Sequence, residues 1–495
     1  MDDSPELTED QLWSAVADAQ GTQRAELLHQ LTGLLYERGN YQDAASTGEE
    51  SADGFAQADL PYDEGFSRAE AGMAYQELGR QAEALSSFTT ACARFRESGH
   101  EKDCAQATVR AGQCLNALGR PQEPLSIWDS AQNLFASIRQ PAMAADVALN
   151  RGNLLGFLGR QSEALEVFQG ARALRRPLGD AGAVVDIDDR IAAALIDLGR
   201  HGEALEVLRA VLRVREGGTN EHALAYARYR YGWTLALVHQ QQDAKPVMEQ
   251  ARADYQRLDN TFGVARCDLI LADCLQALGQ GEASIELYQR AASVFDAVGA
   301  DDDKLVANAN QAIAHAAMGD YEAAAEANTA VLADAVALGS DSMATSIATQ
   351  LARELLQLGR TEAARQVLAT HQPPPRWRDN SVETAAYRVV VARLHLADGN
   401  LAQAGQLARA VIADLEGQHP RLVLAEAYVV LSDASLTAGD VGPGEQYRAT
   451  AIALLLAAGR PHKAQVLAAH FLDTITATDG LQNAEVHNAR ESADA

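Results

Sequence analysis

Apolar positions along the chain do not alternate with period two over any useful length; small and bulky residues recur instead at intervals of forty. A glycine marks the interval at Gly39, Gly79, Gly119, Gly159, Gly199, Gly279, Gly319, Gly359, Gly399 and Gly439, and His239 stands once in its place. Seven residues before each mark lies a small residue, as at Gly72, Gly112, Gly152, Ala192, Gly232, Ala272, Ala312, Ala352 and Ala392. Five after it comes another, as at Ala44, Ala84, Ala164, Ala204, Ala244, Ala324, Ala364 and Ala404. Nine after it comes a bulky one: Phe88, Trp128, Phe168, Leu208, Met248, Tyr288 and Leu368. Such a comb predicts one helical hairpin stacked many times, with small residues letting backbones approach and bulky ones filling the space between adjacent hairpins.

The local chemistry agrees. A glycine just past a helix takes the left-handed conformation that ends it without a Cβ clash. The following helix opens on an acid, as at Asp43, Glu83, Glu123, Glu163, Glu203, Asp243, Glu282, Glu322 and Glu362, where the helix dipole favours negative charge. Pro124 replaces the usual alanine near a first turn, where a missing N–H costs little. Almost no strand is expected.

The spacing of Gly72, Tyr75, Gly79, Ala84, Phe88 and Ala91, repeated by Gly152, Leu155, Gly159, Ala164, Phe168 and Ala171, resembles the tetratricopeptide repeat (TPR) family. The resemblance spans residues 24 to 463. A usual TPR has about 34 residues; here the inner spacing is kept, so the additional residues fall toward the hairpin junctions and lengthen both helices, as in kinesin light chain-like arrays. HEAT and armadillo repeats have a similar length but lack this small-residue pattern. The resemblance implies an all-α, right-handed superhelical solenoid of about eleven helix-turn-helix repeats.

Organisation along the chain follows from the breaks in the comb. Residues 1–22, with Leu12, Trp13 and Val16, are expected to form an N-terminal capping helix, and 23–372 the main array. The prolines at 373–375 interrupt helix, making 373–380 a break. Residues 381–478 read as a diverged C-terminal subarray with a capping helix, and the small, polar residues 479–495 as a disordered tail.

Composition narrows the function. The 68 acids against 41 bases leave a net charge of −27, which repels nucleic acid and suits a long exposed surface. Only four lysines accompany many alanines and arginines, a bias associated with GC-rich bacterial sources. The first residues, MDDSPELTEDQLW, have neither basic head nor apolar run, and AIALLLAA at 451–458 is too short to cross a bilayer. A cytoplasmic protein without membrane partners is expected. Cys92, Cys104, Cys114, Cys267 and Cys274 lack metal-ligand spacing, and their odd number speaks against a disulfide framework; small buried residues are the expectation. No Walker-type loop, metalloprotease helix, nucleophile elbow or dinucleotide fingerprint occurs, so no catalysis, metal or cofactor is expected.

The candidate chemistry lies where the resemblance places the concave groove, on the first helix of each hairpin. The middle repeats put Arg110 and Gln113 there, then Asn150 and Asn153, then Asp186, Asp189 and Arg190, then Tyr226, Tyr229, Arg230 and Trp233, followed by Asp273 and Asn310. An asparagine amide matches the N–H and C=O of an extended peptide, a use the resemblance implies for Asn150. Arg110, Arg190 and Arg230 share one offset and suit the carboxylates of an acidic segment. Tyr226, Tyr229 and Trp233 form a stripe fit for an anchor. The expected function is a protein-protein interaction adaptor or regulator that binds a peptide, helix or disordered segment in the groove. The alternative is a self-assembling scaffold, a homo-oligomer through the C-terminal repeats, where Val389, Val390, Val429 and Val430 form an apolar set.

Overall fold

A computed structural model of the chain describes residues 7–374, 382–415, 420–460 and 463–469. The break expected at 373–380 is described only through residue 374, and the tail at 479–495 lies outside the described residues. Among the described residues there is no strand. Among the same residues a short helix, Glu9–Asp18, is followed by eleven helical hairpins. Their helix pairs are Gly21–Glu37 with Tyr41–Gln57, Pro61–Glu77 with Gln81–Glu97, Glu101–Ala117 with Glu123–Ser137, Pro141–Phe157 with Gln161–Arg175, and Ala181–Asp197 with His201–Glu216. There follow Glu221–Leu237 with Gln241–Arg257, Thr261–Ala277 with Gly281–Ala297, Asp301–Ala317 with Tyr321–Ala337, Asp341–Gln357 with Thr361–Thr370, Val382–Ala397 with Leu401–Asp414, and Arg421–Thr437 with Val441–Ala457.

The chain forms two compact units, Met1–Val214 and Arg215–Ala495, and each is an all-α solenoid of stacked hairpins. The boundary falls in the last turn of helix His201–Glu216. In the first unit, Thr8 and Gln11 cap helix Glu9–Asp18 reciprocally, and its Leu12 packs on Leu31 and Leu35 of the first hairpin. In the second unit, helix Thr361–Thr370 stops after 10 residues, and the chain up to Pro374 is not helical.

The added length of the repeat is helical. Most helices have 17 residues, and the junction between hairpins is as short as the turn within one. Both turns use one device. Arg80 N–H bonds to Tyr75 C=O across Gly79, and His100 N–H bonds to Phe95 C=O across Gly99, each with the glycine in the left-handed region. The left-handed residue therefore recurs every twenty residues at most of the described turns, twice as often as the sequence comb suggests, although none stands at the turn around residue 219. Asp59, Arg139, His239 and Asp259 adopt it without being glycine.

Packing follows the small-to-bulky pairing, first of all within a hairpin. The position of a Cβ on Gly72 lies 3.0 Å from the Phe88 ring, and Gly152 and Gly232 stand in the same way against Phe168 and Met248. Phe88 then reaches Ala111 and Cys114 of the next hairpin, so one side chain serves both contacts. At several turns an arginine before the second helix grips the acid of its first turn: Arg80–Glu83 at 3.0 Å, Arg120–Glu123 at 2.5 Å, Arg160–Glu163 at 2.6 Å and Arg200–Glu203 at 2.7 Å.

Two expectations change. Cys92 and Cys104 face each other across a hairpin junction in disulfide contact, with Cα atoms 4.1 Å apart, whereas Cys114, Cys267 and Cys274 are the small buried residues expected. The pairing escapes sequence spacing because it depends on where two helices meet. Val389, Val390 and Val430 do not form an open apolar surface; they are buried among their own hairpins, since the first helices there lie against one another.

Candidate interaction surface

First helices form the closer-packed side of each unit. The stronger contacts that skip a helix all join successive first helices, such as Gly21–Glu37 with Pro61–Glu77 in the first unit, and Asp341–Gln357 with Val382–Ala397 in the second. Side chains on that side that do not enter the core are the candidates for binding.

In the first unit, Arg110, Asn150 and Arg190 hold the same place on three successive first helices. Arg110 is exposed and its guanidinium lies 3.5 Å from the Gln76 side-chain oxygen; Gln113, Asn153 and Arg190 are exposed as well. Asn150 is half-buried, Asp186 is exposed and Asp189 is half-buried. This unit thus presents a row of donors and acceptors one hairpin apart.

In the second unit the aromatic stripe divides. Tyr226 is 43 % exposed, whereas Tyr229 and Arg230 are buried and Trp233 is half-buried. The Arg230 guanidinium lies 5.7 Å from the centre of the Tyr226 ring, and Tyr229 stacks on Trp233 with ring centres 6.4 Å apart. Burial pushes the Tyr229 hydroxyl pKa up, while nearby Arg266 pulls it down. Arg266 itself lies over the Tyr229 ring at 4.7 Å. Together with Tyr229, Tyr255, Asn260, Phe262 and Gly263 it lines a cleft of about 140 Å³. Arg266 was not among the sequence candidates, although it occupies the same place on its helix as Asp186 and Tyr226 on theirs.

Further along, Asp273 and Asn310 do come together. The Tyr288 hydroxyl donates to the Asp273 carboxylate at 2.5 Å, and the Asn310 amide donates to the same oxygen at 3.1 Å. Burial raises the Asp273 pKa to about 6, against the opposing pull of Tyr288, Arg460 and Asn310. Two buried acids each hold two arginines of differing exposure: Arg228 and Arg257 bind Asp254 at 2.6 Å, and Arg252 and Arg290 bind Asp268 at 2.5 and 3.2 Å. Burial also pushes the Cys267 thiol up to about 12, so it stays protonated in its core. Among the described residues no cluster of potential metal ligands occurs, and no helix is long and apolar enough to cross a membrane.

No protein-family profile matches the chain, and no curated protein matches it. Among solved structures, RapI is similar over 54% of this chain and 95% of its own, with 12% identity and a TM-score of 0.45. The quorum sensor NprR from B. thuringiensis is similar over 58% of this chain and 80% of its own, with 15% identity and a TM-score of 0.38. The TPR-like repeats of a kinesin light chain from Podosopora anserina are similar over 39% of this chain and 95% of their own, with 17% identity and a TM-score of 0.35. The fold is carried by the repeat itself: hairpins of fixed spacing, small residues against bulky ones, and a left-handed residue at most described turns. The fold is a solenoid of TPR-like helical hairpins.

Proposed function

We propose that this protein is an adaptor or regulator that holds a peptide, helix or disordered segment of a partner protein against the first helices of its hairpins. The observation that carries the reading is the row of Arg110, Asn150 and Arg190 at one place on three successive first helices, with exposed Gln113 and Asn153 beside it. A repeat array offers an extended partner the same chemistry once per hairpin, and guanidinium and amide groups meet its carboxylates and backbone directly. The cleft beside Tyr229 and Arg266 gives the second unit a pocket for an anchoring side chain, in reach of Tyr226 and Trp233. The reading assigns binding to the chain and any catalysis to its partner, in the cytoplasm and away from nucleic acid, in keeping with a net charge of −27.

A photo-crosslinking residue placed at Gln113 or Asn153 in the native host is expected to capture a defined partner segment. The same residue at Glu166, exposed on a second helix, is expected not to. Equal capture from Glu166 would remove the first helices from consideration. The second reading, self-assembly through the last hairpins, draws on Val441, Leu456 and Val466, all exposed. Light scattering decides it: a monomeric full-length chain ends that reading.

A further inference from the structure

In a chain with a net charge of −27, basic side chains gather on one small area of the second unit. Arg353 and Arg393 occupy the same place on the first helices Asp341–Gln357 and Val382–Ala397, which pack against each other. Arg353 reaches two hairpins on, to Glu426, at 2.9 Å, and also binds Gln350 at 2.7 Å. Glu426 lies within the fields of Arg393 and Lys463 as well. Burial would raise its pKa, but these three cations hold it below the ordinary carboxylate range.

Of the last two cations, Arg460 ends the turn after helix Val441–Ala457 and Lys463 opens the helical stretch 463–469. Gly459 is seated on the turn at His239, so closely that a Cβ on it would lie 2.9 Å from the His239 Cβ and 3.5 Å from its carbonyl oxygen. Next to that seat, Arg460 acts on Asp273, and Lys463 lies within the fields of Arg353, Arg393 and Arg460. The neighbouring carboxylates are otherwise engaged: Asp273 by Tyr288 and Asn310, and Glu354 by Asn328 at 2.9 Å and Gln350 at 3.1 Å. Three cations, Arg353, Arg393 and Lys463, therefore act on Glu426, and Arg460 lies within the field of Lys463. The Nε atoms of Arg353 and Arg393 are buried without a hydrogen-bond partner among the described residues. Arg353 and Glu426 each keep 23% of their side chains exposed, so solvent and ligand reach the cluster.

We propose that Arg353, Arg393, Arg460 and Lys463 form a receptor for the carboxylates of an acidic protein segment, with Glu426 standing where one of those carboxylates binds. The proposal rests on the reading of the first helices as the binding side, and adds the ligand's chemistry and its place in the second unit. Forked guanidinium groups favour planar carboxylates, and partial burial strengthens each contact over its value in open water. Arg460 belongs to the turn seated on His239 and Lys463 follows it in the chain, so a bound segment ties this end of the unit to the first helices.

The test is fluorescence anisotropy with the full chain and a labelled oligoglutamate peptide, beside an oligoglutamine peptide and a phosphoserine peptide of equal charge. Oligoglutamate is expected to bind, weakening with salt, and oligoglutamine not to. Arg393→Gln with Lys463→Gln is expected to weaken oligoglutamate by about tenfold or more. Glu426→Gln is expected to tighten it, because a resident competitor for Arg353 is gone; damage to the fold would weaken it instead. Equal binding of oligoglutamate and oligoglutamine overturns the proposal, as does no gain from Glu426→Gln. Preference for the phosphoserine peptide by about tenfold overturns the carboxylate assignment. Failure here with crosslinking intact at Gln113 and Asn153 removes this receptor alone; loss of both removes the general reading.

Discussion

Tyr288 donates a 2.5 Å hydrogen bond to Asp273, joining the second helix of one hairpin to its first, and Asn310 of the next hairpin donates to the same carboxylate. A polar contact thereby takes the place that purely apolar packing holds in most repeats. Tyr288 is the bulky residue of its hairpin and fully buried, and beside the Asp273 charge its hydroxyl is held far from ionising.

This carboxylate sets a pH dependence. With its native pKa raised to about 6, Asp273 keeps a proton in the folded state that the unfolded chain has released, so stability falls as pH rises from the ordinary aspartate value to about 6. Asp273→Asn has no such proton to lose. The variant is expected to melt like the parent near pH 4 and increasingly above it toward pH 7, by up to about 3 kcal/mol. Thermal denaturation across that range checks it; a difference independent of pH would refute the assignment.

Two helix glycines should respond in opposite directions to one methyl group. A Cβ at Gly112 would lie 2.8 Å from Cδ1 of Trp128, whose indole N–H is held by the Val109 carbonyl at 3.0 Å. Gly112→Ala is expected to cost about 1–3 kcal/mol by overpacking. At Gly33 nothing lies within 4 Å, so Gly33→Ala is expected to stabilise, by up to about 1 kcal/mol. Chemical denaturation of the two variants measures both signs.

The seating of the turn on His239 can be isolated by comparing two glycines. Gly439 and Gly459 both have left-handed backbones, but only Gly459 has a neighbour within 4 Å. Each change to alanine costs about 1–2 kcal/mol for the backbone, and Gly459→Ala is expected to cost more. Adding His239→Gly should cancel that excess and leave Gly439→Ala unaffected. A double-mutant cycle that shows no coupling between 239 and 459 would mean the contact does not hold in solution.

Buried and exposed ion pairs should part company. Asp268 is 3% exposed and accepts from the half-buried Arg252 and the exposed Arg290, so Asp268→Ala removes the partner of Arg252 while Arg290 turns to solvent, and is expected to cost about 1–3 kcal/mol. Arg200→Ala breaks the exposed pair with Glu203 and is expected to leave the melting curve where it is. Circular dichroism on both variants distinguishes the two cases.

Much of the fold is legible in the sequence because its contacts are local. Gly72 meets Phe88, and Gly152 meets Phe168, at a fixed separation inside one hairpin, so a periodic pattern reports the packing directly. The turn chemistry was half legible. Gly79 and its equivalents mark one turn of each hairpin, but at the other turn Asp59, Arg139 and Asp259 take the left-handed conformation and conceal the twenty-residue rhythm. On the candidate surface, the positions of Arg110, Gln113, Asn153 and Arg190 match their exposed placement, because helix periodicity alone sets the direction of a side chain. Arg230 shares the offset of Arg110 and Arg190 and is nevertheless buried, and Tyr229 beside it is buried where Arg266 and Tyr255 from neighbouring helices line its cleft.

By itself, the sequence determined the unit: a hairpin of two long helices, its turns, its small and bulky partners, and the face on which its polar residues stand. Each of these depends on residues a few turns apart, where the geometry of a helix leaves little choice. Only the tertiary structure decided which distant residues meet, among them Arg353 with Glu426, 73 residues away, and Gly459 with His239. Those meetings depend on the small rotation between each hairpin and the next, accumulated over several repeats, and no single repeat carries that sum in its own residues.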